Sequence, residues 1–186
     1  MRIFISGGCK NGKSYYAQNM AKAQQVRSLY YIAAMKSVDA EDDERIRRHR
    51  FDREGWGFIT VEQAVDIEQI LDKCDTGGSF LLDSLTALLS NEMFPSDGTV
   101  NERAAAKIIK GLEDLRDNIK DIVMVSDYIY SDAFLYDTLT ESFRRSLAET
   151  DRRAAGICDV VLEITYTNVV VHKGREMFDE LYKKIR

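Results

Sequence analysis

A chain of 186 residues, 45% of them apolar, has the size of one ordinary domain and enough greasy side chains for a core, which excludes a disulfide-held miniprotein or a disordered tail. Its 26 Lys plus Arg face 31 Asp plus Glu, so the net charge of −5 excludes the whole-surface basic field that duplex nucleic acid requires, and any bound anion must be held locally. The apolar runs reach only about six residues against the ~20 needed to span a bilayer, and no charged-then-apolar leader precedes the first strand, so a soluble cytoplasmic protein is expected. Cys9, Cys74 and Cys158 are an odd set without CxxC spacing or a nearby His pair, and read as small apolar residues in a reducing compartment.

In chain order, Arg2–Ser6 favours a strand, Gly7-Gly8 closes it, and Ser14 to about Gln25 is helix-forming. Leu29–Ala33 predicts a second strand, about 39–51 a charged helix, Phe58–Glu62 a strand and Val65–Cys74 a helix. Ser79–Asp83 and Ile122–Ser126 are continuous apolar runs, the pattern of parallel strands buried on both faces. Between them lie a loop around the single proline, Pro95, and an amphipathic stretch from about Val100 to Asn118. A helix from Ser142 to about Gly156 precedes Val160–Thr165 and Val169–His172, which read as a hairpin around Tyr166–Asn168. With no internal repeats, residues 1–186 form one expected domain, an α/β fold. Its mostly parallel sheet has helices on both faces and an antiparallel C-terminal hairpin.

The strand-to-helix junction is Gly7-Gly8-Cys9-Lys10-Asn11-Gly12-Lys13-Ser14, which satisfies G-x-x-x-x-G-K-[ST] in the context that gives the motif meaning, so the expected α/β fold is of the P-loop NTPase type. Glycines let backbone N–H groups turn onto a phosphate, the helix N-terminus adds its positive end, Lys13 supplies a point charge and Ser14 a hydroxyl for Mg²⁺. A glycine turn that merely happens to precede Lys-Ser is the competing account. The metal also needs an acid at the tip of a buried strand. Asp83 and Asp127 both end such runs, though either could instead start a turn or cap a helix.

Between Glu41 and Arg53 the chain packs five arginines and His49 into the last nine residues. A solvated helix laced by Glu41–Arg45, Asp43–Arg47 and Glu44–Arg48 pairs explains the pattern. So does a phosphate-directed face, because Arg45, His49 and Arg53 recur every four residues, and clustered cations keep an imidazole neutral and nucleophilic. A neutral histidine beside a triphosphate can attack its α-phosphorus. His172 has no acidic or cysteine neighbour in sequence and is assigned a surface role.

These residues resemble the bifunctional adenosylcobinamide kinase/adenosylcobinamide-phosphate guanylyltransferases of cobalamin biosynthesis. The likeness rests on the early GGxxxGKS loop, Tyr30-Tyr-Ile-Ala33, Arg45-Ile-Arg-Arg-His-Arg50 with Arg53, the Thr60-x-Glu62 pair, Leu81-Leu-Asp-Ser-Leu-Thr86 with Leu89-Ser-Asn91, Phe143-Arg144, and Ala154–Asp159. The resemblance implies a homotrimeric enzyme acting on nucleotide (GTP and/or ATP) and corrinoid substrates, without nucleic-acid or membrane partners. It would phosphorylate the aminopropanol hydroxyl of adenosylcobinamide, then transfer GMP from GTP to that phosphate through a guanylylated His49. By the same resemblance His49 and Lys13 are catalytic, Ser14 and Asp83 hold Mg²⁺, and Gly7, Gly8, Cys9, Lys10, Asn11, Gly12, Lys13, Ser14, Arg50, Arg53, Glu62 and Asp83 bind nucleotide. Several positions depart from the pattern. Asp127-Tyr-Ile-Tyr130 replaces an Asn-Glu-Val-Gly stretch, Glu54 a proline, Phe58 a tryptophan, Arg145 an Asp and Asp151 an Asn. Such changes suit a relative that has kept only one activity or shifted its acceptor, and a non-catalytic nucleotide-binding paralogue is the further alternative.

Overall fold

The computed structural model describes residues 1–36, 44, 47, 51 and 53–185. Seven strands form one sheet: β1 (Arg2–Gly7), β2 (Leu29–Ala33), β3 (Ile59–Glu62), β4 (Ser79–Asp83), β5 (Asp121–Asp127), β6 (Val160–Thr165) and β7 (Asn168–Lys173). Their order across the sheet is β3-β2-β4-β5-β1-β6-β7. All neighbours are parallel except the last pair, the expected hairpin. After β1 the chain passes over β5 and β4 to lay down β2, and after β5 it crosses β1 to lay down β6. The strand order therefore reverses around β1 and β5, where open α/β sheets bind their ligands.

Among the described residues six helices cover the sheet: α1 (Lys13–Ala23), α2 (Ile70–Lys73), α3 (Leu85–Met93), α4 (Ala104–Asn118), α5 (Thr138–Ile157) and α6 (Arg175–Tyr182). Because strand side chains alternate, β1 sends Ile3 and Ile5 to one face and Phe4 to the other. The first face packs Ala17, Met20 and Ala21 of α1 with Phe178 and Leu181 of α6. The second packs Leu85, Leu88 and Leu89 of α3, Ile108, Leu112 and Leu115 of α4, and Leu147 and Ala154 of α5. The β2, β4 and β5 segments are buried almost throughout, as continuous apolar runs with helices on both sides should be.

The differences from the sequence expectation are local. Helix α3 was not expected, yet Ser84 caps it by accepting from the Ala87 N–H at 3.3 Å, and Leu85, Leu88 and Leu89 form its buried stripe. Helix α6 likewise follows Gly174, held at φ 76°. The expected helix over 65–74 is a 3₁₀ turn, Ile67–Gln69, running into the short α2. Helix α4 starts four residues late because the Asn101 side chain accepts from the Arg103 N–H at 3.0 Å and turns the chain first. Helix α5 starts four residues early because Asp137 accepts from Leu139 and Thr140, both at 3.0 Å. Of the helix expected over 39–51, Glu44, Arg47 and Phe51 are described and helical, and Arg47 pairs with Glu44 at 2.9 Å. Among the described residues no helix is long and apolar enough to cross a membrane.

Candidate active site

The sheet register aligns Gly7 with Asp127, Asp83 with Val125, and Ala33 with both Asp83 and Glu62, so the chemistry-bearing tips of β1, β3, β4 and β5 share one carboxyl edge. At β1 the chain must turn at once. A methyl on Gly7 would stand 2.5 Å from the Ile164 carbonyl oxygen of β6, so glycine is required there. Lys10 (φ 59°) and Gly12 (φ 85°) take left-handed conformations that wrap the loop and deliver it into α1. Asn11 braces it by donating to the Ile164 carbonyl at 3.4 Å. Cys9 and Lys10 are exposed, whereas Gly8, Asn11 and Ser14 are half-buried.

Lys13 is the best-defined charge at this edge. Its ammonium donates to the Gly8 carbonyl and to Asp127 Oδ1, both at 2.6 Å, and its side chain is only 6% exposed. Asp127 is itself held by its N–H, which donates to Thr86 Oγ1 at 2.9 Å. Of the two acids left open by the sequence, Asp127 thus neutralises the loop lysine. Asp83, one strand over, accepts from the Tyr31 hydroxyl at 2.7 Å.

Tyr31 lies in the Tyr30-Tyr-Ile-Ala33 run that carries part of the family likeness, but the sequence alone assigns it no role. Tyr30 and Tyr31 are consecutive in a buried strand, so alternation sends one phenol to each face: Tyr30 accepts from the Asp75 N–H at 3.1 Å, and Tyr31 reaches Asp83. Burial, and then the charge of Asp83, push the Tyr31 phenol far up, so it stays protonated and a donor. The Arg53 guanidinium lies 3.4 Å above its ring centre, and Phe58 meets the ring edge-on. Arg53, the last member of the arginine segment, is thereby buried and joined through Tyr31 to Asp83. Glu62 is exposed at the tip of β3. His49 and Arg50, like Arg45 and Arg48, lie outside the described residues.

Beyond Asp127 the departing loop, 128–137, is fixed by charge. Arg144 of α5, buried, donates to the Ile129 carbonyl at 3.1 Å, pairs with Asp132 at 2.9 Å and Glu141 at 2.5 Å, and stacks on Tyr136 at 4.6 Å. The Tyr130 hydroxyl donates to Asp151 Oδ2 at 2.9 Å. Burial pushes the Asp151 carboxyl up to about 6, against hydrogen bonds from Ser126 and Tyr130 that hold it down. His172 is exposed, in keeping with the surface role expected for it, but it does have an acidic partner: its Nε2 sits 2.8 Å from Glu163 Oε2. Glu163 lies opposite Val170, so His172 is its diagonal neighbour across the hairpin, a proximity that spacing along the chain does not reveal.

A family model described as cobinamide kinase / cobinamide phosphate guanyltransferase matches residues 3–169. The chain belongs to this family. The bifunctional adenosylcobalamin biosynthesis protein CobP of Pseudomonas aeruginosa is 33% identical over 98 residues, 52% of this chain and 56% of that protein. The chain therefore aligns with little more than half the length of this curated relative. Among solved structures, PH0250 from Pyrococcus horikoshii OT3 superimposes with a TM-score of 0.50 at 8% identity, over 92% of this chain and 85% of that one. An ATPase of a bacterial type III secretion system gives 0.45 at 17% identity, over 96% and 52%. At 8% identity the likeness to PH0250 concerns architecture alone, and this cobinamide kinase / guanyltransferase family chain carries its own loop and strand-end residues on its sheet.

Proposed function

We propose that this protein phosphorylates the aminopropanol hydroxyl of adenosylcobinamide and then transfers GMP from GTP to the resulting phosphate through a guanylylated His49. The observation that carries the reading is the buried Lys13, bound to the Gly8 carbonyl and Asp127 at the mouth of the glycine loop. An ammonium kept in place by groups it can exchange for a phosphate is arranged for a nucleotide whose β- and γ-oxygens arrive there. In the kinase step the acceptor oxygen attacks the γ-phosphorus, the bond to the bridging oxygen breaks, and the hydroxyl proton leaves to solvent or a nearby carboxylate. In the second step the His49 imidazole attacks the α-phosphorus of GTP and expels pyrophosphate. The corrinoid phosphate then displaces the histidine, so one difficult transfer becomes two in-line displacements. The guanidinium of Arg53 offsets charge developing at this edge, and Arg50 and Glu62 complete the nucleotide contacts.

Mg²⁺ suits the oxygen donors present: the Ser14 hydroxyl at the start of α1 and the Asp83 carboxylate would hold it, the remaining positions going to phosphate and water. When bound it withdraws charge from the phosphate oxygens. Tyr31 orients Asp83 for that role, and the Thr86 bond to the Asp127 N–H keeps the Lys13 partner in register. The protein is expected to act in the cytoplasm as a homotrimer without nucleic-acid partners.

Incubation with α-labelled GTP tests this directly. An acid-labile, alkali-stable protein–GMP adduct is expected, absent in His49→Ala, together with adenosylcobinamide phosphorylation that is abolished in Lys13→Ala. No adduct in the unmutated protein would remove the guanylyl transfer. Phosphorylation without the adduct would favour the single-activity reading, for which the Tyr128 and Tyr130 replacements at this edge are the specific support. Nucleotide binding without turnover of any corrinoid would leave a non-catalytic paralogue.

A further inference from the structure

On the sheet face that carries α3, α4 and α5, the row just below the glycine loop is polar. Ser126 of β5, Ser6 of β1 and Glu163 of β6 are register partners on three adjacent strands. Everything beneath them on β5 and β1, such as Met124 and Phe4, belongs to the apolar core. Helix α5 covers only part of this row. Beyond it, between the loop after β5 and the β6–β7 hairpin, lies an open cavity of about 320 Å³ lined by Ser6, Tyr128, Tyr130, Ser131, Glu163 and His172. Its position relative to the nucleotide loop is fixed by the chain: Ser6 immediately precedes Gly7, and Tyr128 immediately follows the Asp127 that holds Lys13.

The chemistry of the cavity is the opposite of the loop's. Glu163 is its charged group, and the hydrogen bond from His172, with others from Thr165 and Tyr128, holds the carboxylate below its usual range, so it is ionised at neutral pH. Among the described residues the lining holds no lysine or arginine, and its histidine, His172, is already paired with Glu163, so the cavity does not favour a phosphate. The Tyr130 hydroxyl is committed to Asp151 and that of Tyr128 to Glu163, which leaves the exposed Ser131 hydroxyl as the donor for a ligand, while the two phenol rings offer flat apolar faces. A carboxylate acceptor, a hydroxyl donor and aromatic faces together recognise a neutral primary carboxamide, whose N–H groups need an acceptor and whose carbonyl needs a donor. The volume lies at the lower end of small-molecule sites, roughly 300–1,000 Å³, which suits one or two amide arms and not an enclosed macrocycle.

We propose that this cavity binds carboxamide side chains on the periphery of the corrinoid acceptor, holding its hydroxyl arm toward the phosphates at the glycine loop. This inference rests on the function proposed above and names the acceptor half of that site. Anionic nucleotide is drawn to Lys13, while the neutral amide arms of the acceptor are drawn to Glu163, so the two substrates are sorted to neighbouring subsites by charge.

The test measures cobinamide binding by equilibrium dialysis without nucleotide, beside a cobinamide whose peripheral amides have been hydrolysed to acids. The unmutated protein is expected to bind the amide form at least tenfold more tightly than the acid form. Glu163→Gln should weaken the amide form about tenfold and erase the discrimination, with GTP affinity and melting temperature unchanged. Ser131→Trp, at an exposed position of the rim, should block both forms, again without touching GTP. Cobinamide binding and turnover with full discrimination in Glu163→Gln, or unhindered binding in Ser131→Trp, overturns the cavity assignment and leaves the enzymatic reading standing. Absence of both cobinamide binding and turnover in the unmutated protein overturns the enzymatic reading, and the cavity assignment with it.

Discussion

Replacing Asp151 by asparagine should stabilise this protein, and the gain should depend on pH. Asp151 is 3% exposed, its Oδ2 accepts from Tyr130, and burial lifts its carboxyl from an ordinary 3.8 to about 6. The folded protein thus holds the proton more tightly than the unfolded chain does. Stability from this group is greatest below the unfolded value, is lost as pH rises from 3.8 through about 6, and stays at the lower level above it. At about 1.4 kcal/mol per pH unit, ionisation costs about 3 kcal/mol at pH 8 and roughly half of that at pH 5. Asparagine keeps an acceptor for Tyr130 and removes the ionisation. Its amide N–H groups must find partners in the same buried place, so the net gain should be about 1–3 kcal/mol at pH 8. For a chain of this size that corresponds to a melting temperature higher by roughly 3–10 °C. Urea denaturation of both proteins at pH 8, 7, 6 and 5 checks it, with the gap narrowing steadily below pH 6. A gap that does not change with pH, or a wild type more stable than the variant at pH 8, would refute the argument that a buried ionised carboxylate strains this loop.

Three further outcomes follow from the geometry. Tyr31→Phe keeps the ring under Arg53 but loses the hydrogen bond to Asp83, and should cost about 1 kcal/mol, whereas Tyr31→Leu, which also loses the stacking with Arg53 and Phe58, should cost at least ~1 kcal/mol more by chemical denaturation. Gly7→Ala sets a methyl against a backbone oxygen that cannot move without breaking the β1–β6 pairing, so it should lose about 2 kcal/mol or more. Gly8→Ala meets only the movable Asn11 side chain and should lose far less, as compared by thermal melts. Arg144→Leu removes the cation that ties Asp132, Glu141 and the Ile129 carbonyl together, and should accelerate limited proteolysis within 128–137 several-fold while lowering stability by roughly 2 kcal/mol.

Most of the architecture was legible because the central strands announce themselves as unbroken apolar runs and the glycine loop fixes the junction between β1 and α1. Helix ends were less legible, since the caps that set them, Ser84, Asn101 and Asp137, are polar residues whose effect depends on which backbone N–H they meet. At the candidate site, the loop from Gly7 to Ser14 and the strand-end acids Asp83 and Asp127 stand out in the sequence by motif and position, and the fold brings them to one edge. The contacts of Tyr31 and Thr86 and the His172–Glu163 pair were not legible, because each acts through a partner remote in sequence or across a strand register.

The sequence by itself determined an α/β chain with a glycine loop between its first strand and first helix, and with it the expectation of local anion capture, because a net charge of −5 leaves no general attraction for phosphate. Only the tertiary structure decided which acid meets which cation. Parallel register brings Gly7 beside Asp127 and gives that carboxylate to Lys13, while alternation along β2 turns the Tyr31 hydroxyl to Asp83 and its ring to Arg53. Pairing across strands depends on distances that the folded sheet creates, and spacing along the chain does not contain them.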